Sequence, residues 1–250
     1  MGKKLFWSVL VVALVGPAIM YFWMPSETPQ PQEPRSPVPA AKPAIRHPIE
    51  PDEDSLSVVG DSDSSVADAL AKLLGEPFDR LFNRQEIVRR IVATIDNLPR
   101  ENIPLQAIPV KSPPGSFLTS GTGESLAISR ENASRYLSYV HLAEAVPVDT
   151  LVRGYKRFYP IFQTQYEELG YPDKYFNDRL VEVIDHLLDT PDIESPLLLT
   201  QPNVIYQFAD PKLERLSAGQ KIMLRIGSEN ASKIKAKLRQ IRKRLVSTSS

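Results

Sequence analysis

The sequence predicts a mainly α protein: a single helical domain over residues 64–246 with a small antiparallel β element, preceded by one transmembrane helix at 5–24 and a disordered linker at 25–63. Three observations carry this. Residues 5–24, LFWSVLVVALVGPAIMYFWM, are twenty uncharged apolar residues, enough at ~1.5 Å each to cross a hydrocarbon core of about 30 Å. Residues 25–51 hold nine prolines and few apolar side chains, a composition that favours extended, solvated chain over a packed core. Beyond residue 63, apolar residues recur at three-four spacing between capping signals.

The apolar run competes with a cleaved signal peptide, a lipoprotein signal and a buried soluble helix. A cleavable signal has a shorter apolar core followed closely by small residues, whereas this run ends in Tyr21, Phe22, Trp23 and Met24. Lipid attachment at a processed N-terminus needs a cysteine, and the chain has none. Trp7 near one end and Tyr21 with Trp23 near the other suit the two interfacial belts. Lys3 and Lys4 flank the near side, and Glu27 and Glu33 precede Arg35 on the far side. The positive-inside rule therefore places residues 1–4 in the cytoplasm. The expected location is the inner (cytoplasmic) membrane, single-pass, with the C-terminal domain periplasmic.

The linker continues through Glu50, Asp52, Glu53, Asp54, Asp61 and Asp63. Extended at ~3.1 Å per residue, residues 25–63 reach up to roughly 120 Å from the bilayer. The pattern Pro31-Gln32-Glu33-Pro34 fits a PxxP ligand, although any proline-rich spacer contains such patterns. The formal net charge is zero, but it is unevenly placed: seven basic residues and no acids fall within 233–244. Residues 247–250 are expected to form a disordered tail.

Within the domain, Ser65 caps VADALAKLL, which Gly75 ends. Asn83 with Glu86 resembles a capping box before Ile87, Ile91 and Ile95, and Pro99 stops that helix. Ser129 caps a helix through Tyr136, Leu137 and Val140. From Asp149 the residues Leu151, Tyr155, Phe158, Phe162, Tyr166 and Leu169 keep helical spacing, with a kink expected at Pro160. The helix over 173–188 is the most strongly amphipathic, with Phe176, Leu180, Val183, Ile184 and Leu187 on one face. Asp178, Glu182, Asp185 and His186 lie opposite. Ser217 with Gln220 forms another capping box, and Ser228 opens a last helix whose stripe is Ala231, Ile234, Leu238, Ile241 and Leu245. Short strands are expected at 105–110 and 116–120 around Pro113-Pro114-Gly115, and at 197–200 and 204–208 around Gln201-Pro202-Asn203.

The strings Glu168-Leu169-Gly170-Tyr171-Pro172, Tyr175-Phe176-Asn177-Asp178-Arg179, Val183-Ile184-Asp185, Thr190-Pro191, Ala209-Asp210-Pro211 and Gln220-Lys221 resemble those of the bacterial domain of unknown function 3014. The resemblance covers roughly residues 65–245. It implies an N-terminal membrane segment, a proline-rich spacer and this domain. It assigns no activity and no functional residue.

Candidate chemistry is correspondingly sparse. Asp178, Glu182, Asp185 and His186 have the ligand types for a divalent metal or for carboxylate acid-base work, and so define an alternative reading as an envelope or cell-wall hydrolase. A surface helix shows the same polar arc, and Arg179 is placed to pair with Asp178 or Glu182. No GxSxG or SxxK serves a nucleophile, and the run Gly121-Thr122-Gly123-Glu124 lacks the Lys-Ser/Thr of a phosphate loop and reads as a hairpin turn. No catalytic, cofactor-binding or metal residue is assigned. The basic helix places Lys235, Arg239, Arg242 and Lys243 on one flank and Lys233, Lys237 and Arg244 on the other, a surface for an envelope protein, an anionic cell-wall polymer or acidic lipid. Nucleic acid is not expected, because no stacking aromatics are interleaved with these charges. The expected role is a membrane-anchored, extracytoplasmic binding or scaffolding domain.

Overall fold

The computed structural model describes residues 44–49, 63–194 and 196–246. The predicted transmembrane helix, most of the linker and the 247–250 tail lie outside those residues. Among the described residues, no helix is long and apolar enough to cross a membrane.

The domain is mainly helical, as the sequence spacing predicts. In chain order the helices are α1 (Asp63–Leu74), α2 (Glu76–Leu81), α3 (Ile87–Asn97), α4 (Leu137–Ala145), α5 (Val148–Arg157), α6 (Tyr159–Glu168), α7 (Phe176–Leu188), α8 (Pro211–Glu214), α9 (Ala218–Arg225) and α10 (Ser228–Val246). Two short hairpins complete it: β1 (Thr119–Ser120) with β2 (Ala127–Ile128), and β3 (Leu199–Thr200) with β4 (Gln207–Phe208), both antiparallel. The first hairpin turns through Gly121-Thr122-Gly123-Glu124, as expected. Gly121 sits at φ 74°, where a Cβ would meet the Ser125 carbonyl oxygen at 2.3 Å.

Several local signals act as their chemistry requires. Ser217 Oγ accepts from Gln220 N at 3.2 Å while Gln220 Oε1 accepts from Ser217 N at 3.4 Å, a complete capping box at the start of α9. Asp210 Oδ1 accepts from Lys212 N at 2.8 Å and Pro211 follows it, so Ala209-Asp210-Pro211 is a helix start. Ser129 caps the 3₁₀ turn Arg130–Tyr136 that leads into α4.

Three expectations are corrected. Asn83 and Glu86 form no capping box: Glu86 stands at φ 51° without a side-chain cap, and Asp63 Oδ1, from the start of α1, accepts from Val88 N at 2.8 Å. The cap thus arrives from another helix. Asp63→Ala is expected to cost about 1 kcal/mol, the usual value of a lost N-cap, read as a lower midpoint in urea with unchanged slope. Pro160 does more than kink its helix. It separates α5 from α6 at Phe158, because its ring excludes a continuous run and its missing N–H suits the first turn of a new one. Residues 105–110 do not pair with 116–120. Pro109 removes a donor a ladder needs, 105–107 form a 3₁₀ turn, and Val110 bridges Phe82. Arg135 holds the Pro113-Pro114-Gly115 turn instead, donating to the carbonyls of Pro114 at 3.0 Å and Gly115 at 2.9 Å.

The main core lies where α3 packs on α6 and α7 packs on α10. Phe78, Ile87, Val88, Val92, Tyr166, Phe176 and Leu245 are its most deeply buried large side chains. The Phe162 and Phe176 rings stack at 6.0 Å, and Tyr166 lies 5.4 Å from Phe176. A smaller cluster of Leu199, Phe208 and Leu224 sits beneath the second hairpin. Within the segment read as linker, residues 44–49 are docked on the N-terminal end of α7, and Ile49 is part of the main core.

Candidate functional site

An open groove of about 650 Å³ lies beside the N-terminal half of α7. Its walls come from residues 44–46, the end of α3, the last turns of α6, the Tyr171–Tyr175 connection and α7 itself. The centre is Asp96, only 3 % exposed. A carboxylate there is tolerable only if paired and hydrogen-bonded. Arg179 Nε donates to Oδ1 at 3.0 Å, Arg100 Nη2 to Oδ2 at 2.6 Å, and the Tyr171 hydroxyl to Oδ2 at 3.1 Å. Arg179 also donates to the Asp96 carbonyl at 2.8 Å and to Glu182 at 3.0 Å. Sequence inspection pairs Arg179 with neighbours on its own helix. The structure adds Asp96, 83 residues away, for which no local pattern gives a signal.

Tyr166, which lines the groove, and Tyr155 and Tyr159, which belong to the main core, all hold their protons more tightly than free tyrosine. Burial first, then the Asp96 charge, pushes Tyr166 up to about 12, and burial also raises Tyr155 and Tyr159. A folded pKa above the unfolded value means the folded state holds its proton more tightly. This contribution is complete below pH 10 and is lost as pH rises toward about 12. Cooperative alkaline unfolding over that window, with tyrosine ionisation followed by ultraviolet absorbance, is the expected outcome. Independent titration of these tyrosines near pH 10 in a folded domain would contradict it.

The N-terminal end of α7 has no cap of its own, so its amides are satisfied from elsewhere. Gln163 Oε1 accepts from Phe176 N at 2.8 Å and the Tyr159 hydroxyl from Asn177 N at 3.3 Å. Asp178 faces away from the helix. Its Oδ2 accepts from Arg46 N at 2.9 Å and its Oδ1 from His47 N at 2.7 Å. Asn177 Nδ2 donates to the His47 carbonyl at 2.8 Å, and Ile49 N donates to the Tyr175 hydroxyl at 2.7 Å. Residues 44–49 are therefore gripped mainly through their backbone. These bonds and the burial of Ile49 contribute about 8 kcal/mol, against about 6–12 kcal/mol for ordering six residues.

The acidic face of α7 does not converge. Asp178 binds the 44–49 strap, Glu182 pairs with Arg179, Asp185 takes both guanidinium arms of Arg242, and His186 Nε2 shares a 2.8 Å hydrogen bond with Ser217 Oγ. Only Asp178 and Glu182 line the groove. Among the described residues, no group of three or more acids or histidines is placed to hold a metal ion.

The basic run of α10 is also largely engaged. Lys235, 3 % exposed, donates to the Thr190 carbonyl at 2.6 Å and to Asp192 at 2.7 Å. Lys237 donates to the Val146 carbonyl, Arg244 pairs with Asp149, Arg242 with Asp185, and Lys233 with Glu229. The neighbouring guanidinium of Arg244 and ammonium of Lys235 hold Asp149 and Asp192 below the usual carboxylate range. Arg239 and Lys243 remain exposed beside Val246. A second, larger cavity of about 830 Å³ runs between the β1–β2 hairpin, the 3₁₀ turn and the start of α10, and Lys235 is among the residues lining it.

Tyr171, Tyr175, Asp178 and Arg179, from two of the strings singled out in the sequence, line the groove. Asn177, Thr190, Gln220 and Lys221, from the same strings and two others, are buried hydrogen-bonding groups. No curated protein and no solved structure matches the chain. The family model described as "Protein of unknown function (DUF3014)" matches residues 87–242, and the chain belongs to that family.

Proposed function

We propose that this protein is a non-enzymatic binding or scaffolding module of the bacterial cell envelope, held at the inner membrane by residues 5–24 and carrying its domain outside the cytoplasm. The single observation that supports binding over catalysis is the dispersal of the α7 acidic face. Asp178, Glu182, Asp185 and His186 each hold a different internal partner, so the residues of the hydrolase reading do not surround one reacting atom. The groove offers a binding surface with charges of both signs at its edge and tyrosines at its floor. Arg239 and Lys243 supply the part of the basic helix open to an anionic partner.

Photo-cross-linking from intact cells tests this reading. A photoreactive residue at Lys174, on the groove edge, should capture a discrete envelope partner. The same residue at Asp189, exposed and outside the groove, should not. Equal capture from both positions would remove the groove from the proposal. The hydrolase reading has its own test: Asp185→Ala, which breaks a half-exposed ion pair, is expected to change stability by about 1 kcal/mol or less and to abolish no cellular function. Specific metal retention by the purified protein, lost in that variant, would restore that reading.

A further inference from the structure

We propose that the cavity between the β1–β2 hairpin and the start of α10 is a binding site for a small carboxylate-bearing amphiphile, with Lys235 as the group that takes the acid. This site is separate from the α7 groove and does not depend on the reading given for it. At about 830 Å³ the cavity has the size of pockets that enclose small molecules. Ile128, Ile193, Leu197, Met223 and Leu224 line it, and all five are buried or half-buried. Glu131, Asp192, Glu194 and Glu229 also line it, but every one of these acids is exposed, which places them toward the mouth, where solvent and salt screen them. The charged side chains set deeper are both cations, the half-buried Arg225 and the buried Lys235.

Lys235 is the reason to expect an acid. An ammonium out of water needs a counter-charge and acceptors for its three protons. Two protons have acceptors, the Thr190 carbonyl at 2.6 Å and Asp192 Oδ1 at 2.7 Å; among the described residues the third has no protein acceptor. The counter-charge is weak as well, since the Asp192 side chain is 82 % exposed while that of Lys235 is 4 % exposed. The desolvated cation is therefore only partly neutralised, beside a cavity lined with apolar side chains.

The Asp192 contact shows which anion the site accepts, because a carboxylate oxygen already sits at hydrogen-bonding distance from Nζ. A ligand carboxylate completes the neutralisation that Asp192 leaves partial, and the apolar body behind it covers Met223 and Leu224. Arg225 is not the receptor: its guanidinium lies 5.5 Å from the ring centroid of Phe208, in the smaller core cluster. Charge and apolar surface act together here, so a neutral molecule of the same shape and a short acid without an apolar body both bind more weakly.

Methionine methyl NMR on the full chain in phosphatidylcholine nanodiscs tests this. The methionines are Met1, Met20, Met24 and Met223, so labelled methyl groups give one reporter in the cavity and three in the N-terminal segment. At matched ionic strength, sodium hexanoate should shift the Met223 methyl saturably. Hexanamide, the same body without the charge, and sodium acetate, the charge without the body, should each need at least about tenfold more. Lys235→Gln keeps a donor for the Thr190 carbonyl but loses the charge. It should weaken hexanoate by about tenfold and leave hexanamide unchanged. Asp192→Asn should act in the opposite direction and tighten hexanoate severalfold, because it removes the partial counter-charge from Lys235. Should Lys235→Gln disturb the fold, seen as a changed Met223 signal before any addition, the exposed Asp192→Asn carries the test. No saturable shift at Met223, equal responses to hexanoate and hexanamide, or hexanoate binding that Asp192→Asn weakens or leaves unchanged would each overturn the proposal.

Discussion

Asp96→Ala is expected to destabilise the domain by about 3–5 kcal/mol, because it strands a guanidinium rather than simply deleting a contact. The Arg179 side chain is 19 % exposed and directs Nε to Asp96 Oδ1 and Nη2 to the Asp96 carbonyl. Without the carboxylate it keeps the backbone carbonyl of residue 96 and Glu182, whose side chain is 55 % exposed and gives a weak, screened pair. Arg100 contributes less, since its side chain is half in solvent and can rehydrate. The double variant Asp96→Ala with Arg179→Leu should recover part of the loss, as no uncompensated charge remains. Urea unfolding of both variants beside the parent protein measures this. A loss below about 1 kcal/mol for the single variant would place the pair in the weak surface class.

Phe176→Ala should be of similar size, about 3–5 kcal/mol, through a different mechanism. Phe176 is fully buried and meets Phe162, Tyr166 and Tyr155 at ring separations of 6.0, 5.4 and 6.5 Å. It begins α7, so the cavity opens where three helices meet and neighbouring rings have little freedom to collapse into it. Against a typical total stability of 5–15 kcal/mol, this single change is expected to leave a partly unfolded population at growth temperature. Thermal unfolding reads the effect directly. Phe176→Leu should retain most of the stability, because the volume is nearly kept.

The contrast between what was legible in the sequence and what was not follows the range of each interaction. The Ser217–Gln220 box and the Gly121 turn each depend on residues within four positions, and each is present; Pro160, read as a kink, goes further and divides the helix. The Asn83–Glu86 box had an equally good local pattern but lost to Asp63, which reaches Val88 from 25 residues away. Residues 105–110 are apolar enough to read as a strand, yet Pro109 removes a ladder donor, 105–107 close a 3₁₀ turn, and Val110 bridges Phe82 instead. The same logic explains the groove. Tyr171, Asp178 and Arg179 stood out as parts of motifs, but Asp96 looked like one more polar residue near a helix end. The strap was hidden by composition, since His47-Pro48-Ile49 reads as spacer until the slot for Ile49 exists. The basic run of α10 shows a use that spacing alone does not reveal: five of its charges hold acceptors within the domain, which leaves Arg239 and Lys243 as the part open to a partner.

Display of this domain outside the cytoplasm on a membrane tether, as proposed above, is tested most directly by topology. A fusion of alkaline phosphatase after Gly60, beyond the apolar run and most of the linker, should be enzymatically active, and a fluorescent protein that cannot mature outside the cytoplasm should be dark at the same position. An inactive phosphatase with a bright fluorescent fusion would place the domain in the cytoplasm and contradict the account.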